Sequence, residues 1–181
     1  PLQAFRLQGL GELKERLGLW EDAEADLREA VATSPGDPQA LAALANHLLQ
    51  RGRAPEALPL VRQAMRYVTQ LEVVDRVEVH RVRVGVYLAL GMREELEQAL
   101  VSVPSTDATW TAAYLKGVGH YVLGDLGAAV SNLTEAGART GPSESADQLP
   151  QLALAAARVR EADWAGAAAA FRGLANSAPL S

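Results

Sequence analysis

Apolar residues in this 181-residue chain recur at helical spacing, in runs of helix length separated by short polar breaks. Leu41, Leu44, Ala45 and Leu48 stand at i, i+3, i+4 and i+7, which puts all four on one helix face. Ala57, Val61, Ala64 and Val68 form a second stripe after a break at Gly52-Arg53-Ala54-Pro55-Glu56. Similar breaks start at Gly18, Gly91, Gly124 and Ala162, so successive starts lie 34, 39, 33 and 38 residues apart. Four of the five begin with Gly, which accepts the positive φ that ends a helix without a Cβ clash. Helix starts recur between the pairs. Asp37 followed by Pro38 offers an N-cap with Pro at the first helical position. Asp75 with Glu78, and Ser145 with Gln148, resemble capping boxes, and Asp107 can cap the helix entering Trp110. Pro35, Pro104, Pro142 and Pro179 mark inter-helix breaks. The pattern predicts ten helices over 4–17, 21–33, 38–51, 55–71, 75–90, 93–102, 108–123, 126–139, 147–161 and 164–176. They form five antiparallel pairs.

Two stretches pull against this. Val77, Val79, Val82, Val84 and Val86 are β-branched and partly alternate like a strand. No second β-rich run offers a pairing partner, so the helical register prevails. Pro59 lies inside its helix, where it removes one backbone hydrogen bond.

Composition supports packed helices. The chain has 34 Ala and 27 Leu, both strong helix formers, and few aromatics. It has no Cys, which excludes disulfides, thiol catalysis and Cys-ligated zinc. The net charge of −5 is uneven: residues 1–37 and 94–181 are acidic, whereas 50–93 carry eight Arg against four acids. An acidic total speaks against direct nucleic-acid binding. No apolar run is long enough to span a membrane, and a cytoplasmic location is expected. The chain opens with Pro1 rather than Met, which suggests a piece of a longer protein.

Repeats at this period resemble the tetratricopeptide repeat, a helix–turn–helix unit. The resemblance rests on Leu10-Gly11, Gly18, Ala23, Leu27, Ala30 and Pro35 in the first unit, and on Leu44-Ala45, Gly52, Ala57, Val61 and Ala64 in the second. Gly117, Gly124, Ala129, Leu133 and Ala136 carry it in the fourth, and Leu154-Ala155, Ala167 and Phe171 in the fifth. The third departs, with Val84, Leu96 and Val103 in slots for small residues. Arg83 and Lys116 fall on slots normally filled by buried Leu, where an unpaired cation is costly. The resemblance implies an all-α solenoid of five helix pairs, a right-handed superhelix formed as one repeat domain over 1–181. Its units run over about 4–37, 38–71, 75–104, 108–142 and 147–179.

In this family the first helices of the pairs line a concave face that holds a protein or peptide. Carried over, that face contains Phe5, Gln8, Glu12, Glu15, Gln39, Ala42, Asn46, Leu49, Gln50, Glu78, Arg81 and Leu88. It continues with Thr111, Tyr114, Val118, Tyr121, Leu152, Ala156, Val159 and Arg160. The residues expected to contact a partner are Gln8, Glu12, Asn46, Gln50, Arg81, Tyr114 and Tyr121. Asn46 is the sharpest of these, since an amide can bond an extended backbone through both its donor and its acceptor. Acidic groups where some family members clamp a terminal carboxylate argue against such a clamp here.

No residue pattern points to catalysis, a metal or a cofactor. His47, His80 and His120 lie far apart, and each falls in a first helix as a packing or surface residue. Acidic pairs such as Glu21-Asp22 sit at helix starts, where the helix dipole favours them. Trp20 and Trp164 occupy equivalent turn positions and are expected to pack the two helices of their pairs. The last helix, from Trp164 to Phe171, is apolar nearly all round, so self-association through the last helix pair is expected. The leading expectation is therefore a non-enzymatic scaffold that holds a protein or peptide. The alternative is a sensor or regulatory segment of a multidomain bacterial transcription regulator.

Overall fold

A computed structural model of the chain describes residues 2–104, 110–139 and 148–177. The described residues fold into α1 (Leu2–Arg16), α2 (Trp20–Thr33), α3 (Pro38–Gln50), α4 (Ala54–Met65), α5 (Val73–Leu90), α6 (Arg93–Ser102), α7 (Trp110–Leu123), α8 (Leu126–Arg139), α9 (Gln148–Arg160) and α10 (Trp164–Ser177). Helices pack with their pair partners, α1 on α2, α3 on α4, α7 on α8 and α9 on α10. Each second helix also covers the first helix of the following pair: α2 on α3, α4 on α5, α6 on α7 and α8 on α9. The chain divides into two compact units, Pro1–Met92 and Arg93–Ser181. The boundaries of the predicted helices agree closely, except that the fourth stops at Met65 and a 3-10 turn follows at Val68–Gln70. Pro59 stays inside α4. The expectations placed on Asp107, Pro142, Ser145, Pro179 and the start of the seventh helix at 108 lie outside the described residues.

The turns explain the antiparallel pairing. Gly18, Gly52, Gly91 and Gly124 have φ of 76°, 72°, 66° and 89°, and Ala162 takes the fifth turn at 63°. A left-handed residue there lets the chain reverse within three residues; Arg53 N, for example, bonds Leu48 O at 2.8 Å across its turn. Ala162 carries a Cβ in a conformation that costs an L-residue about 1–2 kcal/mol. Ala162→Gly is expected to stabilise the second unit by about 1 kcal/mol, read as a higher urea midpoint. An unchanged or lower midpoint would refute the strain at this turn.

Asp37 caps α3 as expected, accepting from Gln39 N at 2.9 Å and Ala40 N at 3.5 Å. The capping box at Asp75 does not form. Helix α5 begins earlier, at Val73, so Asp75 lies inside the first turn and Glu78 instead pairs with Arg81. Two further side-chain caps carry no sequence signature of the capping-box kind: Asp125 accepts from Ala128 N at 3.1 Å and Asp163 from Gly166 N at 2.9 Å.

Helix α5 resolves the valine conflict. Val79, Val82 and Val86 form one stripe, packed with Leu41, Leu44, Leu48 and Val61 of α3 and α4. Val77, His80, Val84 and Tyr87 form a second buried stripe on the opposite side. A helix buried on two opposite faces shows alternation over short windows, which imitates a strand. Arg83 and Lys116 are half-buried rather than enclosed. The Arg83 guanidinium lies 5.5 Å from the Tyr87 ring centroid, with Nη1 3.9 Å from Met65 Sδ, so its charge meets a π face and a polarizable sulfur. The register of the repeat is unaltered: Gly11, Ala45, Val84, Gly117 and Ala155, all at one slot relative to their turns, are all buried.

Candidate functional site

The first unit holds a cavity of about 590 Å³. Three first helices build most of it. α1 supplies Gln8, Glu12, Glu15 and Arg16; α3 supplies Gln39, Ala42, Ala43, Asn46 and Gln50; α5 supplies Asp75, Glu78 and Val79; Trp20 comes from the start of α2. The geometry follows from the hydrophobic stripes. Leu41, Leu44 and Leu48 turn one side of α3 into the core, which leaves Ala42, Asn46 and Gln50, spaced four apart, on the side facing the cavity.

Four carboxylates against one guanidinium make the lining acidic, while the amide side chains of Gln8, Gln39, Asn46 and Gln50 offer paired donors and acceptors. Gln8 Nε2 donates to Glu12 Oε1 at 3.0 Å. Asn46 is partly engaged within the fold: its Oδ1 accepts from Arg81 Nη2 at 3.2 Å, which leaves its N–H groups and a second oxygen lone pair. Arg81 is held by Glu78 through Nε at 2.8 Å and Nη2 at 2.5 Å, and these hydrogen bonds raise its pKa above the ordinary guanidinium value. Arg81 therefore brings little free positive charge to the site.

Behind the cavity sits His47, 1% exposed. Its Nδ1 lies 2.6 Å from Glu15 Oε1, and its Nε2 lies 3.7 Å from Glu24 Oε2. This fixes Glu15 from the rear. Burial alone would raise the pKa of Glu24, but hydrogen bonds from Arg28 and Arg53 outweigh it and hold the carboxyl below its ordinary value. Trp20 packs on His47 with ring centroids 6.3 Å apart, and Arg51 lies over the Trp20 ring at 5.6 Å. Trp20 thus reaches the following pair rather than only its own. Its equivalent, Trp164, is exposed.

Among the residues expected to contact a partner, Gln8, Glu12, Asn46 and Gln50 line the cavity and Arg81 bonds to it from the side. Phe5 lines a neighbouring hollow with Leu2, Gln39 and Leu71. Leu49 lies over Gly85. Tyr114 and Tyr121 belong to the second unit, where they pack on Ala129, Leu133, Leu154 and Ala157. Desolvation raises the pKa of Tyr114, and Arg160 covers Tyr121 at 5.0 Å. Asp75, Arg16 and Val79 join the cavity without a signal in the sequence. Asp75 reads as a cap from its spacing to Glu78, which hides its position on the inner side of α5. Among the described residues no cluster of His, Asp and Glu could hold a metal ion, and no helix is long and apolar enough to cross a membrane.

Residues 16–73 match the tetratricopeptide repeat family. No curated protein matches the chain. Among solved structures it is similar to PilF of Pseudomonas aeruginosa, at 16% identity and a TM-score of 0.79, over 99% of this chain and 78% of that one. It is also similar to a thermophilic TPR protein of Thermus thermophilus, at 23% identity and a TM-score of 0.75, over 98% and 93% of the two chains. A Rap protein complexed with Competence and Sporulation Factor matches at 17% identity and a TM-score of 0.71, over 97% of this chain and 54% of that one.

Proposed function

We propose that this chain, whose residues 16–73 match the tetratricopeptide repeat family within an all-α fold, is a non-enzymatic scaffold whose first unit holds an extended, positively charged protein segment in the cavity between α1, α3 and α5. The fold is one commonly used for protein–protein interaction. The observation that carries the finer reading is the pairing of amides with carboxylates on one lining: Gln8, Gln39, Asn46 and Gln50 beside Glu12, Glu15, Asp75 and Glu78. Amides satisfy the backbone groups of an extended segment, which otherwise lose their water partners on binding. Carboxylates select Lys or Arg side chains and repel acidic ones, including a terminal carboxylate. The neighbouring hollow at Leu2, Phe5 and Leu71 offers an apolar anchor next to the charged stretch, joined to it through Gln39. That the structurally similar Rap protein is complexed with a factor supports a partner-holding role for this fold.

The test is fluorescence anisotropy with labelled extended peptides of equal length, one rich in Lys and Arg, the other with Asp and Glu in their place. The basic peptide is expected to bind and the acidic one not. Glu12→Lys and Asp75→Lys are each expected to weaken binding about tenfold at low salt, with the difference shrinking as salt screens the exposed charges. Asn46→Ala is expected to weaken it at all salt concentrations. Equal binding of both peptides, or capture unaffected by all three substitutions, would remove this reading.

A further inference from the structure

We propose that the cavity of the first unit contains a subsite for the cationic end of one lysine or arginine side chain, formed by Glu15 beside Trp20 and held in place by His47. The subsite rests on the function proposed for that cavity, and singles out one cation of the basic segment. Several carboxylates of the first unit are matched with a cation. Glu24 accepts from Arg28 Nη2 and from Arg53 Nη1, each at 2.7 Å. Asp26 pairs with Lys14 at 2.6 Å, and Glu78 with Arg81. Glu15 has no such partner. Its side chain is 13% exposed, less than the 20% of Glu24 and the 17% of Asp26. Among the described residues it pairs only with His47, whose imidazole is a cation only when protonated. A carboxylate withdrawn this far from water is costly without a matching charge, so a cation supplied from outside gains more here than at the exposed Glu12 or Glu78.

The carboxylate is also fixed before any partner arrives. Its Oε1 lies 2.6 Å from His47 Nδ1, and an ionised carboxylate can only accept, so Nδ1 donates in this contact. His47 is itself buried, with Trp20 packed on its ring. The charged groups facing the ring are Glu15 from α1 and Glu24 from α2, and Glu24 is already engaged by Arg28 and Arg53. Among the described residues Oε2 of Glu15 takes no hydrogen bond, so it is the acceptor left for a partner. Holding the acceptor in advance lowers the ordering cost of binding.

The surroundings suit the rest of such a side chain. Trp20, Ala42 and Ala43 share the cavity lining with Glu15. An indole attracts an ammonium or guanidinium group, and the apolar wall covers the methylene stem. Lys and Arg combine a long apolar stem with a terminal cation, which a recessed carboxylate beside an indole requires. The amides of Gln8, Gln39 and Gln50 then remain for the backbone of the segment.

The test is fluorescence anisotropy on the chain of residues 1–181 with a basic peptide acetylated at its N-terminus. Its Lys and Arg residues are unevenly spaced, so that a slip in register cannot restore a lost contact, and each in turn is replaced by Gln. One position is expected to stand out with a loss of about thirtyfold, against about threefold or less at the others. In Glu15→Gln the same position is expected to lose its distinction, because the charge it pairs with is gone. Gln keeps an acceptor for His47 and nearly the same volume, and a thermal melt matching the unaltered chain checks the fold. The loss caused by Glu15→Gln is expected to persist at high salt, unlike that of Glu12→Lys, since enclosed charges are screened less. Exchanging Lys and Arg at the outstanding position identifies the end group by the tighter binding. Absence of binding by every basic peptide overturns the subsite together with the basic-segment function. Binding in which no position stands out, or in which the outstanding position keeps its distinction in Glu15→Gln, overturns the subsite alone.

Discussion

Gly117→Ala is expected to destabilise the second unit by about 2 kcal/mol, although Ala is the better helix former by about 1 kcal/mol. A Cβ at Gly117 would stand 2.5 Å from Leu133 Cγ, 2.8 Å from Cδ2 and 3.1 Å from the Leu133 backbone nitrogen. A new rotamer can withdraw the side-chain atoms but not the nitrogen, so α7 and α8 must separate. Leu133 is wholly buried and has little free space to move into. The equivalent Gly11 tests this reasoning. There the closest atoms are Leu27 Cγ at 2.7 Å and Cδ2 at 2.9 Å, and the nearest backbone atom, Ala23 O, is at 3.3 Å. Gly11→Ala should therefore cost less. The double substitution Gly117→Ala with Leu133→Ala should cost less than the sum of the single ones, since the added methyl occupies part of the cavity left by Leu133. Thermal melts are the readout, with an expected drop of about 4–8 °C for Gly117→Ala. A midpoint equal to or above that of the unaltered chain would show that the helices are not held at contact distance.

Stability is expected to fall between about pH 6.5 and pH 4 because of His80. This ring is 3% exposed, and its Nδ1 has no hydrogen-bond partner among the described residues. Burial lowers its pKa to about 4, with the charges of Arg83 and Arg76 contributing. The sign follows from linkage. In that window the unfolded chain binds a proton at His80 and the folded chain does not, so acid favours unfolding. The contribution is complete above the ordinary imidazole pKa and is lost as the pH falls toward about 4, by up to about 3 kcal/mol. His80→Leu keeps a side chain of similar volume and removes the titration, so the difference in urea midpoint between the two proteins should grow steadily from about pH 7 to about pH 4.5. Glu24 and Glu56, with pKa values held below the ordinary carboxylate value, act at lower pH and are common to both proteins. A constant difference across the window would mean that His80 is protonated in the fold or reaches solvent.

Much of the architecture was legible because helix and turn are local. Stripes such as Leu41, Leu44 and Leu48 need only helical periodicity, and Gly at four of the five turns needs only its freedom at positive φ. The cavity was legible in part for the same reason. With Leu44 and Leu48 on the core side, Asn46 and Gln50 have to face elsewhere. Asp75 reads as a cap in the sequence because the same residue type serves caps and cavities, and local sequence does not separate them. The hydrogen bond from Arg81 to Asn46 joins residues 35 positions apart, on α5 and α3, so no local pattern announced it.

The sequence by itself determined the helices, the left-handed turns and the side of each helix that is apolar, since these depend on dihedral preference and on spacing along one segment. Tertiary structure alone decided which of those sides are covered. Leu10 and Leu44 share a slot, yet one is exposed and the other buried. Trp20 and Trp164 share another, yet the first packs on His47 while the second is exposed. Burial belongs to a residue together with its neighbours, and the neighbour of a helix face comes from a different stretch of chain. The half-buried cations and the hydrogen bond that Asn46 accepts from Arg81 follow from that one fact.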